Sequence, residues 1–177
     1  MHALQRTLVS EAEFLALPES MQQVELVDGE VVVSPAPRWW HQEVCRRLVV
    51  ALSLWADEQP SPFTVIQSPA DVRFGPGRIL QPDLFVLEGR LPREHTGPIT
   101  RLPLVCVEVV SSNRIYDRVT KRLIYAAAGV PEYWVVEQGG LIERWTGEGL
   151  QVSEEITDQL STPRLPGLVV DVEALFA

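Results

Sequence analysis

Leu104-Val105-Cys106-Val107-Glu108-Val109-Val110-Ser111 reads as a buried β-strand with a single carboxylate set into it. An ionised side chain in an apolar strand costs several kcal/mol, roughly, unless a cation, a metal or hydrogen-bond donors compensate it. Glu108 therefore needs a partner. Thirteen residues further on stands Lys121, the one lysine in a chain with fourteen arginines. Where this sequence needs cationic surface it uses arginine, so a lone lysine points to a role for a compact, deprotonatable ammonium.

Working outward from this strand, Ser111-Ser112-Asn113 is a turn and helix-start cluster. Ile115 to Ala128 follows as a helix stopped by Gly129 and Pro131. Glu132 to Glu137, Leu141 to Trp145 and Leu150 to Glu155 form a C-terminal β-meander with turns at Gly139-Gly140 and Gly147. A strand at Leu168 to Val170 then leads into a last helical turn.

Upstream, Ser10-Glu11-Ala12-Glu13 has the pattern of a capping box and opens a short helix ending before Pro18. Val24 to Val27 and Glu30 to Val33 flank Asp28-Gly29, the dipeptide that tolerates the positive φ angles of a tight hairpin turn. Trp40, Val44, Leu48, Leu52 and Trp55 recur at helical spacing up to about Asp57, giving a long helix with one apolar face. Phe63 to Gln67 and Ala70 to Phe74 read as a strand interrupted at Ser68-Pro69. It is followed by a Gly75-Pro76-Gly77 turn and a second strand from Ile79 to Leu87. Pro82, which lacks a donor, belongs near the start or at an irregular point of that strand, with Asp83 just inside it. The loop from Glu88 to Leu102 is polar and irregular.

The 177 residues suit one domain, 1–177, with enough hydrophobic content for a sizeable core. Cys45 and Cys106 lie in apolar periodic segments, so they read as buried hydrophobes in a reducing compartment, with no disulfide. No membrane span or basic-apolar leader is visible, and a cytoplasmic location is expected. A net charge of −9 argues against non-specific adhesion to nucleic acid, so any DNA contact must be local and assisted by cations.

Strand alternation puts Glu108 on the face of Cys106 and Val110. If the strand that begins at Pro82-Asp83 is its neighbour, Asp83 and Glu108 meet. Two carboxylates held together repel, and a hard divalent cation such as Mg²⁺ relieves that repulsion. A nearby lysine then steadies a nucleophilic water or developing charge.

Pro82-Asp83, then Glu108, then a lysine resembles the PD-(D/E)XK nuclease superfamily. The wider text resembles the Uma-two restriction endonuclease family over nearly the whole chain. It comprises Val24 to Glu30, Ser34 to Pro37, His41, Gln81 to Leu84, Val107 to Ser111, Tyr116-Asp117-Arg118, Lys121 and Gly129 to Trp134. The resemblance implies an α/β, restriction-endonuclease-like fold, a mixed central β-sheet flanked by α-helices with an N-terminal β-hairpin and the C-terminal meander. It implies Mg²⁺- or Mn²⁺-dependent hydrolysis of DNA, with Asp83 and Glu108 as metal ligands and Lys121 orienting or activating the attacking water. One departure stands out: the superfamily lysine sits two residues after the glutamate, where this chain has Val110. Lys121 takes its role if its helix turns the face shared by Asp117, Lys121 and Tyr125 toward Glu108.

Glu25, Asp71 and His41 are further candidates for the active site, and Arg114, Arg118 and Arg122 form a basic run able to meet phosphates. Competing readings stay open. Glu108 makes a structural ion pair with Lys121 or an arginine, Lys121 is a helix-surface lysine paired to Asp117, Asp83 caps a turn, His41 is a polar helix residue, and the arginines are a solvated face. At the level of the whole chain, the alternative to a nuclease is a nuclease-like fold that no longer cuts and serves as a binding or assembly module, with a homodimer as its simplest form.

Overall fold

The structure, a computed structural model, describes residues 8–18, 20, 22–110 and 115–177. The chain begins with α1 (Glu11–Leu15), whose N-terminus is closed by the reciprocal Ser10 and Glu13 capping bonds. β1 (Val24–Val27) and β2 (Glu30–Val33) form a hairpin turning at Asp28 and Gly29, both at positive φ (50° and 85°). This is the backbone that an Asp-Gly turn is suited to. Then come α2 (Trp39–Asp57), β3 (Phe63–Gln67), β4 (Val72–Gly75), β5 (Arg78–Leu80), β6 (Leu84–Glu88) and β7 (Val105–Val109). A π-helical segment, Tyr116–Lys121, continues directly into α3 (Arg122–Ala128). β8 (Tyr133–Glu137), β9 (Leu141–Thr146), β10 (Val152–Ile156), β11 (Gln159–Thr162), β12 (Leu165–Asp171) and α4 (Val172–Phe176) complete the chain.

Six strands form the central sheet in the order β10-β9-β8-β7-β6-β3, mixed because β7 and β8 run parallel while their neighbours are antiparallel. Alternation along β7 assigns its two faces. Val105, Val107 and Val109 pack with Val44, Leu48 and Leu52 of α2, whereas Cys106 packs with Ile124 and Tyr125 of α3. Glu108 shares the α3 side. The parallel β7–β8 step requires a crossover, and the π-helical segment and α3 provide it. Among the described residues no helix is long and apolar enough to cross a membrane.

Five expectations need correction. The strand expected from Ile79 to Leu87 is two strands: β5 belongs to a four-stranded sheet, β2-β1-β5-β4, and β6 to the central sheet. The chain changes sheets at Gln81-Pro82-Asp83, where proline cannot donate to a ladder. β3 and β4 part in the same way on either side of Ser68-Pro69, so the expected interrupted strand also spans two sheets. The helix expected from Ile115 opens with a π-helical turn instead of an α-turn. At the C-terminus, residues Glu148–Leu150 form a 3₁₀ turn, so β10 starts later than Leu150. The last strand is longer than Leu168 to Val170 because it pairs with β11, which its alternating polar residues had hidden.

A buried carboxylate ties this C-terminal ribbon to the core. Glu132, 1% exposed, accepts 2.6 Å hydrogen bonds from Trp134 Nε1 and Thr162 Oγ1. Both oxygens are thereby satisfied without a cation.

Candidate metal and catalytic site

The sheet change at Pro82 creates the site. Leu84 pairs with Val107, so Asp83, one residue beyond the ladder, stands beside Glu108 at the carboxyl end of β7. Asp83 Oδ2 accepts from the Val109 backbone N–H at 2.8 Å and lies 3.1 Å from His41 Nε2, which the first turn of α2 brings in. On the other side, Glu108 Oε1 accepts from Lys121 Nζ at 3.0 Å and from the Tyr125 hydroxyl at 2.6 Å. Lys121 comes from the π-helical turn and Tyr125 from α3, one turn later. A π-turn inside a helix commonly marks a functional site, and here it presents Asp117 and Lys121 toward Glu108's end of the sheet.

Lys121 is shared. Its Nζ also lies 3.1 Å from Glu25 Oε1, and its side chain is 2% exposed. Glu25 is fully engaged, with Oε1 also accepting from the Gln81 backbone N–H at 2.8 Å and Oε2 accepting from the Tyr116 hydroxyl at 2.9 Å. The backbone N–H freed where β5 leaves its ladder thus finds a carboxylate.

The electrostatics follow from crowding. Glu25, Asp83, Glu108 and Asp117 are all buried around Lys121, which among the described residues is the one buried lysine or arginine. Burial pushes the Glu108 carboxyl well above the usual range, and the charges of Asp83, Asp117 and Glu25 add to this against the opposing pull of Lys121. Burial alone would strip the proton from Lys121, but Glu108, Glu25, Asp117 and Asp83 outweigh it and hold the ammonium well above its ordinary value. The two shifts agree once one ammonium is seen to serve several carboxyls: the cation stays charged, and negative charge remains in excess. His41 is also lifted, because its hydrogen bond to Asp83 and that residue's charge overcome the cost of burial.

A cleft of about 640 Å³ opens onto this cluster. His41, Asp83, Glu108, Asp117 and Lys121 line its floor, the Ser34 to Arg38 loop and the Gln138 turn its rim. Among the described residues, Asp83 Oδ1 and Glu108 Oε2 have no hydrogen-bond partner. Two oxygen donors from different segments of the chain, in a cleft with uncompensated negative charge, suit a hard divalent cation. The residues present fit such an ion.

The other sequence candidates are placed differently. Glu25 holds Lys121 instead of facing the cleft. Asp71 is set back, its Oδ1 accepting from Gln81 Nε2 at 2.9 Å. Arg118 pairs with Glu137 and Glu143, and Arg122 donates to the Leu150 carbonyl while lying 4.1 Å over the Trp145 ring. Both arginines are therefore committed within the chain, and Arg114 lies outside the described residues. Tyr116, Tyr125 and Asp117 join the site although no role was assigned to them from sequence. The helical spacing of Asp117, Lys121 and Tyr125 was the available signal.

Residues 11–173 match the model of the Uma2 family, described as "Putative restriction endonuclease". A crystal structure of a putative nuclease belonging to DUF820, from Anabaena variabilis, has the same fold. It is 21% identical, with 95% of this chain and 97% of that chain covered and a TM-score of 0.78. No curated protein matches.

Proposed function

The chain belongs to the Uma2 family of putative restriction endonucleases, and from that premise we propose that it is a single-domain, divalent-metal-dependent endonuclease acting on DNA. The observation that carries this reading is one oxygen on each of Asp83 and Glu108 with no hydrogen-bond partner among the described residues, beside a buried ammonium 3.0 Å from Glu108. A bound Mg²⁺ or Mn²⁺ would polarise the scissile phosphate and lower the pKa of a bound water. Asp83 and Glu108 would hold that ion. Asp83 is oriented for this by the Val109 N–H, and Glu108 by Lys121 and Tyr125. Lys121, kept as an ammonium, serves as a hydrogen-bond donor to the attacking water or to charge developing on phosphate, not as a proton acceptor.

The test is cleavage of supercoiled plasmid and of single-stranded DNA with Mg²⁺ or Mn²⁺, comparing wild type with Asp83→Asn and Lys121→Ala. Metal-dependent nicking lost in both variants is the expected result. Absence of cleavage by wild type, or equal cleavage by the variants, sinks the catalytic claim.

One observation favours the assembly-module alternative. Ile115, Val119 and Leu123 are 75%, 44% and 57% exposed at i, i+4 and i+8, an apolar stripe on the outer side of the helix that carries Lys121. A concentration-dependent mass in light scattering, without metal-dependent cutting, would select that reading.

A further inference from the structure

His41 is buried in the cleft floor, and its two ring nitrogens face different neighbours. Nε2 lies 3.1 Å from Asp83 Oδ2, and Nδ1 lies 3.7 Å from Cys45 Sγ, one helical turn along α2. Ligand atoms of His41, Cys45 and Asp83 all fall within 4.8 Å of one another. In an octahedral site with bonds of about 2.1 Å, adjacent ligands stand about 3.0 Å apart, the bond length times √2. His41 Nε2 stands at that distance from Asp83 Oδ2, so an ion shared with His41 meets Asp83 through Oδ2 as well as Oδ1. We propose that His41 Nε2 is a third protein ligand of the cation held by Asp83 and Glu108, and that the resulting Asp/Glu/His set prefers Mn²⁺ to Mg²⁺.

The proposal rests on the nuclease reading for the position of the cation. It adds a nitrogen donor, which suits first-row transition ions better than the oxygen-seeking Mg²⁺. Cys45 is the second neighbour such a ligand needs. When Nε2 binds the ion, Nδ1 carries the proton, and Sγ at 3.7 Å is the acceptor that orients the ring. Because Sγ is turned to Nδ1, it is the partner of the ligand and not the ligand itself. The rival account makes His41 only the hydrogen-bond partner of Asp83, and a metal-centred spectrum separates the two.

The experiment is Mn²⁺ titration of the full chain followed by pulsed electron paramagnetic resonance, on protein carrying ¹⁴N- or ¹⁵N-labelled histidine. The expected result is one directly bonded imidazole nitrogen in wild type that follows the label and is absent in His41→Gln. Mn²⁺ affinity in that variant should fall roughly ten- to hundredfold, with Mg²⁺ affinity changed much less. A wild-type spectrum with bound Mn²⁺ but no bonded imidazole overturns the proposal even if His41→Gln fails to fold. If Mn²⁺ binds and Glu108→Gln abolishes that binding, the cation site stands whatever the nitrogen signal shows. If wild type binds neither ion, the nuclease reading falls and this inference with it.

Discussion

Replacing Lys121 with Met isolates the energetic logic of the site, because the methionine fills similar space and removes only the charge and its donors. Lys121 Nζ lies 3.0 Å from Glu108 and 3.1 Å from Glu25, with all three side chains at most 2% exposed. At an effective dielectric of about 20, each contact is worth roughly 5 kcal/mol in Coulomb energy. Desolvation of each ion offsets several kcal/mol of that. The net cost of deleting one partner of a buried pair is about 3–5 kcal/mol, since the orphaned carboxylates stay buried. For a chain of this length each kcal/mol lowers the melting temperature by about 2–4 °C, so Lys121→Met should melt on the order of 10 °C below wild type at neutral pH. The sign of its pH dependence is also set. Losing the ammonium removes the positive charge that lowers the Glu108 carboxyl, so that group binds its proton more tightly in the folded variant and the deficit shrinks as pH falls. Urea unfolding at about pH 7 and about pH 5 measures both effects. A deficit under about 1 kcal/mol at neutral pH, or one independent of pH, would refute a cation shared between two buried carboxylates.

Further outcomes follow from the same contacts. Glu108 Oε1 is occupied by two donors, so a proton taken up on acidification goes to Oε2, the oxygen offered to a cation. Its raised folded pKa means that its stabilising contribution is complete below the ordinary value of 4.5 and is lost as pH rises through the folded pKa. Thermal stabilisation by saturating Mn²⁺ should therefore be larger at about pH 8 than at about pH 5, and a melting shift that falls with pH would contradict this. Thr162→Val leaves Glu132 Oε2 without its donor and should cost about 1–3 kcal/mol in denaturant unfolding. A neutral effect would mean that the hydrogen bond is not needed. Gly129 closes α3 at φ +88°, and a Cβ there meets nothing nearer than Leu102 at 3.8 Å. Gly129→Ala should accordingly lose about 1–2 kcal/mol for backbone reasons alone. Glu43, held by Arg46 and Arg47, should titrate with a midpoint of about 2 by NMR, and either Arg→Ala variant should raise it.

Local chemistry was sufficient for much of this protein. The Asp28-Gly29 hairpin, the amphipathic α2, the capped α1 and the strand around Glu108 are decided by φ preferences, periodicity and capping within a few residues of themselves. The same holds for the family likeness, which rests on short ordered motifs. Alternation alone put Glu108 on the Cys106 face, and a carboxylate on that face already called for Lys121 or a metal. Other features depend on contacts between distant segments. The break at Gln81-Pro82-Asp83 sends β5 and β6 into different sheets because Glu25, 56 residues away, catches the Gln81 N–H. β11 exists through its pairing with β12 despite weak apolar content. The same distinction separates the site residues. Sequence brought forward Asp83, Glu108 and Lys121 as a set, but only packing decided that Glu25 grips the lysine, that Arg118 and Arg122 are bound internally, and that His41 shares Asp83. A side chain's partner across the fold is a property of tertiary geometry, which no spacing along the chain encodes.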